Sequence, residues 1–64
     1  MFIENEKKVH PKLCEHAREY CKNIGASGIY NICYLGEGDY RIMYYVGEGE
    51  KRKMCAVILK MPEL

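Results

Sequence analysis

No stretch of this chain approaches eighteen consecutive apolar residues, so nothing in it reads as a membrane-crossing helix. The opening Met1-Phe2-Ile3-Glu4-Asn5-Glu6 lacks the basic-then-apolar order of a signal peptide. Together these predict a cytoplasmic protein, in a cell or in the cytoplasm of a virus-infected host. An excess of charge is missing too. Ten Lys and Arg against nine Asp and Glu leave a net charge of +1, which gives no global field toward nucleic acid or an acidic membrane surface. Metal spacings are likewise absent: no C-x-x-C and no H-x₃-H occurs, and Cys14 and Cys21 stand two helical turns apart, too far to share one zinc unaided. No metal and no cofactor are expected.

Chain length is also scarce. Sixty-four residues make at most one domain, close to the size below which a core struggles to offset chain entropy. Apolar residues at 48% suffice to pack one helix on one sheet, and charged residues at 30% coat the surface. Such a chain cannot also enclose a deep pocket without giving up its core, and an enzyme is not expected. Cys14, Cys21, Cys33 and Cys55 would make two disulfides in a secreted protein. In the cytoplasm they read as reduced, small, buried hydrophobes.

What is present is a helix pattern followed by a strand pattern. Pro11 suits the first turn of a helix, and Leu13, Ala17, Tyr20, Cys21 and Ile24 then fall on one face. Cys14 lies at the margin of that face, Lys12, Glu15, Glu19 and Lys22 lie opposite, and Gly25 is a suitable terminator. The spacing predicts a helix from Pro11 to Ile24. Three runs rich in β-branched and aromatic residues follow, over 28–35, 40–46 and 53–61, separated by Gly36-Glu37-Gly38-Asp39 and Gly47-Glu48-Gly49-Glu50. Short glycine-bearing connections force antiparallel neighbours. The expected fold is therefore α+β: one N-terminal amphipathic helix packed on a three-stranded antiparallel meander, a single domain over residues 1–64. Phe2 and Ile3 could add a short N-terminal edge strand or simply cover the core.

Alternation separates the two faces of the sheet. Ile42, Tyr44 and Val46 share one face with Cys55, Val57, Leu59 and Met61, which should meet the helix. Arg41, Met43 and Tyr45 share the other with Arg52, Met54, Ala56, Ile58 and Lys60. The first strand leaves two inward sets open, Ile29/Cys33/Leu35 and Tyr30/Ile32/Tyr34. One helix covers one face only, so the Arg-Tyr-Met-Ile face is left to water or to a partner, and its composition is what interface cores favour.

Other constellations point nowhere as firmly. His10 and His16 lack a third residue to orient either ring beside a cysteine. The glycine tetrads carry carboxylates, which repel phosphate, and neither precedes a helix. Lys51-Arg52-Lys53 is a short basic cluster beside a sheet bearing Tyr30, Tyr34 and Tyr45, which could stack bases.

The stretch Gly38-Asp39-Tyr40-Arg41-Ile42-Met43-Tyr44-Tyr45-Val46, followed by a turn and an apolar strand, resembles the sheet of RelE/ParE-type toxins. The resemblance covers only the second half of the chain. It implies a small ribonuclease in which Arg41 contacts RNA on the ribosome. Where such toxins carry His-Arg or a tyrosine after the last strand, this chain has Lys60-Met61-Pro62-Glu63-Leu64, and their helical hairpin is reduced to one helix.

The favoured expectation is a stand-alone module, adaptor or stoichiometric inhibitor, acting on another protein through Arg41, Met43, Tyr45, Arg52, Met54, Ile58 and Lys60. Homodimerisation through that face or an edge strand is the cheapest form of such association. A nucleic-acid module using the same face ranks second and the toxin-type ribonuclease third. Proteins of viruses and mobile elements that block host machinery share this size range.

Overall fold

The structure, a computed structural model, describes residues 1–63; Leu64, the last residue of the expected domain, lies outside the described residues. Helix α1 (Pro11–Asn23) begins where the sequence predicts. His10 is its N-cap: the ring Nδ1 accepts a hydrogen bond from the Lys12 N–H at 3.1 Å, and Pro11 follows in the first turn. The far end closes in a Schellman arrangement. The Ala26 N–H donates to the Cys21 carbonyl at 2.9 Å and the Gly25 N–H to that of Lys22 at 3.2 Å, with Gly25 at φ +74°.

The three strands are β1 (Gly28–Gly36), β2 (Asp39–Val46) and β3 (Lys53–Lys60), paired antiparallel in the order β1-β2-β3. One helix followed by an open three-stranded meander is the expected α+β arrangement. The β1–β2 connection is a tight hairpin in which Glu37 and Gly38 both have positive φ, 56° and 80°, the signature of a type I′ turn. The second tetrad is part of a longer loop containing a 3₁₀ turn, Gly49–Lys51. A Cβ on Gly47 (φ +89°) would stand 2.9 Å from the Lys51 carbonyl oxygen, so this loop needs glycine there.

The free edge of β1 is covered by the N-terminal segment. Ile3 bridges Ile29 in parallel, with the Ile29 N–H donating to the Phe2 carbonyl and the Glu4 N–H to that of Ile29. Asn5 extends the cover with its side chain, which donates to the Ile32 carbonyl at 2.9 Å and accepts from the Ile32 N–H at 3.1 Å. An amide side chain here does what another strand would do.

The core is Ile3, Leu13, Cys14, Ala17, Cys21, Ile29, Ile32, Tyr40 and Ile42. Four differences from the sequence reading stand out. Cys14 is fully buried rather than marginal, whereas Ile24, at the helix C-cap, is 43% exposed. Tyr40, absent from the expected inward set, is the largest fully buried side chain. In β1 neither candidate set is inward as a whole: a β-bulge at Tyr30 shifts the pairing, so Ile29 faces Tyr44 and Ile32 faces Ile42. Finally, α1 packs toward β1, leaving Cys55, Val57 and Leu59 of β3 only half-buried and Val46 exposed.

Cys14 and Cys21 are buried while Cys33 and Cys55 are half-buried, and all four are free thiols. Burial pushes the Cys14 thiol pKa up, aided by Glu6 and opposed by Arg18, and burial alone raises that of Cys21. Time-resolved alkylation read by mass spectrometry should therefore label Cys33 and Cys55 first, with Cys14 and Cys21 reacting only after denaturation. Equal rates at all four would contradict this burial pattern.

Candidate functional site

Pairing across the sheet fixes which side chains share its outer face, the one turned away from α1. Arg41 stands between Cys33 and Ile58, Met43 between Asn31 and Ala56, and Tyr45 between Gly28 and Met54. Six of the seven expected residues, namely Arg41, Met43, Tyr45, Met54, Ile58 and Lys60, thus lie on one face through the strand register alone. The seventh, Arg52, precedes β3 and reaches the same face through the loop. Its guanidinium carbon lies 4.2 Å from the centroid of the Tyr45 ring.

Tyr45 is held by three neighbours, Tyr30, Arg52 and Glu4. Tyr30, made available by the bulge, meets it edge-on at 6.1 Å and 71°, and the Tyr45 hydroxyl donates to the Glu4 carboxylate at 3.5 Å. Desolvation raises the Tyr45 pKa, and Glu4 adds to that rise while Arg52 works against it. The phenol is thus a neutral donor at physiological pH. Toward the other end, Lys60 pairs with Asp39 at 2.7 Å; this pair is solvent-exposed and contributes little to stability. Met54, 47% exposed, and Ile58, 61% exposed, are the most open apolar side chains on this face. Arg41 Nε is buried and has no hydrogen-bond partner among the described residues.

Beside Tyr45 and Arg52 the surface dips into an open cleft of about 450 Å³, which Glu4, Ser27 and Glu48 also line. Two carboxylates against one guanidinium make it unsuited to an anion. No local pattern marks Glu4 for this position, because its place depends on the N-terminal segment lying along β1.

The histidines are occupied by the fold. His10 caps α1, and His16 Nδ1 shares a 2.6 Å hydrogen bond with the Tyr40 hydroxyl. Among the described residues no three His, Cys, Asp or Glu side chains gather closely enough to hold a metal ion. Tyr34 pairs with Tyr40, on the α1 side of the sheet, so Tyr30, Tyr34 and Tyr45 do not form one stacking platform. Among the described residues no helix is long and apolar enough to cross a membrane.

No protein-family model matches the chain, and neither the curated proteins nor the solved structures include a significant match to it.

Proposed function

We propose that this chain is a non-catalytic protein-binding module, an adaptor or stoichiometric inhibitor of a larger protein, acting through the outer face of its sheet. The observation that carries this reading is the uncovered surface formed by Arg41, Met43, Tyr45, Met54 and Ile58. It combines exposed apolar side chains with an aromatic ring already held by Arg52 and Tyr30. Pre-ordering lowers the entropy lost on binding. The half-buried Arg41 adds a guanidinium to the same face.

The nucleic-acid reading uses the same Tyr45–Arg52 corner. It is weakened by the net charge of +1 and by Tyr34 lying on the other side of the sheet. Affinity capture from native lysate, with and without nuclease, separates the two. The wild-type chain should retain one protein in stoichiometric amount after nuclease and at high salt, since an apolar contact survives salt that disrupts phosphate binding. The Arg41→Ala/Tyr45→Ala variant should lose it. Capture that nuclease abolishes, or equal capture by the variant, would overturn the proposal.

A further inference from the structure

The two edges of the sheet are treated differently. That of β1 is covered by residues 2–5, whereas among the described residues β3 pairs with β2 alone. The ladder defines what β3 leaves free. Met61 donates its N–H to the Gly38 carbonyl at 2.7 Å, and Leu59, Val57 and Cys55 stand opposite Tyr40, Ile42 and Tyr44. Backbone groups of successive residues in a strand point to alternate sides. The odd-numbered residues of β3 therefore turn their N–H and C=O toward β2, and Met54, Ala56, Ile58 and Lys60 turn theirs outward. No bulge interrupts the β2–β3 register, β3 contains no proline, and its only charged residues are the lysines at its two ends. An edge of that kind is a template for another strand.

We propose that β3 pairs antiparallel with β3 of a second copy about a twofold axis at Val57, joining two three-stranded sheets into one of six strands. The occupant follows from the strand's fit to itself. A twofold axis normal to the sheet keeps both outer faces on one side and places residues of equal parity opposite each other. With the axis at Val57, Met54 faces the partner's Lys60 and Ala56 the partner's Ile58, so every outward backbone group finds a partner. An axis at Ala56 would set Arg52 against the partner's Lys60, two like charges. An axis at Ile58 would set Pro62, which has no N–H, against the partner's Met54.

Charge agrees with the favoured register. Lys53 and Lys60 each face a methionine and never each other. On the α1 side, Val57 meets the partner's Val57 and Cys55 the partner's Leu59, covering side chains that the displaced helix leaves half-exposed. The two helices would lie roughly 20 Å apart, about twice a packing distance, so they do not clash. This seam uses the edge of the sheet and not its outer face, and it stands whether or not that face binds a protein.

Sedimentation equilibrium over a concentration series should show a reversible monomer–dimer equilibrium. Ala56→Pro removes an outward N–H that the β2 ladder does not use, a place where edge strands tolerate proline, and should weaken association by at least about tenfold. Register is read separately. In a Cys33→Ser/Cys55→Ser background, Val57→Cys should form an intermolecular disulfide on mild oxidation, because residues opposite across such an axis have Cα atoms about 4.5 Å apart. That cross-link decides the matter even if Ala56→Pro misfolds. A wild-type chain that stays monomeric into the millimolar range overturns the seam. A dimer that Val57→Cys does not lock overturns it too, and loss of that dimer in Tyr45→Ala would move the contact to the outer face.

Discussion

Ala17→Asp is expected to leave the chain largely unfolded at neutral pH, as circular dichroism would show by loss of the cooperative melt. Ala17 is completely buried, in one cluster with Cys21, Tyr40 and Ile42, and small residues on this face of α1 let the helix lie close to the sheet. A carboxylate there loses its water and gains no cation, at a cost of several kcal/mol. A domain of this length has roughly 3–10 kcal/mol of total stability, so one such change consumes most of it. Leu13→Ala, in the same core, should cost about 2–5 kcal/mol. Ile24→Ala is the internal control. It belongs to the same helical stripe in sequence, but at 43% exposure beyond the last helical turn it should cost under about 1 kcal/mol. Comparable losses for Leu13 and Ile24 would mean that α1 packs in another register.

That contrast marks where the sequence was readable. The periodicity of Leu13, Ala17 and Cys21 and the stop at Gly25 are local signals, and the helix follows them. The glycine-acid tetrads mark both connections for the same reason. Features set by tertiary geometry were not legible. The bulge at Tyr30 changes the parity of β1 halfway along, so two rival inward sets each contribute one residue, Ile29 and Ile32. Tyr40 sits beside a turn and carries a hydroxyl, two signs of exposure, yet it is buried because His16 takes up that hydroxyl. Asn5 covers the edge of β1 with a side chain, for which strand patterns have no symbol.

For the outer face, period-two alternation was enough to collect Arg41, Met43 and Tyr45 with Met54 and Ile58. The stacking of Arg52 on Tyr45 needed the loop closed by Gly47, and the role of Tyr30 needed the bulge. Composition suggests the chemistry of a partner but carries no information about its shape.

Raising the pH should destabilise this protein in a defined window, and Tyr40→Phe should shrink the upper part of it. Burial, with a contribution from Cys21, pushes the Tyr40 hydroxyl up to about 12, and burial also raises the thiols of Cys14 and Cys21. In each case the folded state holds its proton more tightly than the unfolded chain. Stability is therefore complete below the ordinary thiol and phenol ranges and falls as the unfolded chain begins to release protons. The loss starts with the thiols near about pH 9 and continues with Tyr40 between about 10 and 12. At about 1.4 kcal/mol per unit, the Tyr40 share is on the order of 2–3 kcal/mol. Tyr40→Phe keeps the ring in the core but removes the titrating group and the 2.6 Å bond to His16. It should cost about 1 kcal/mol at neutral pH, yet lose less than the wild type on going to high pH. Denaturant midpoints of both chains across this range measure the difference in slope. Parallel losses in the two would show that Tyr40 does not hold its proton in the core and that the alkaline transition originates elsewhere.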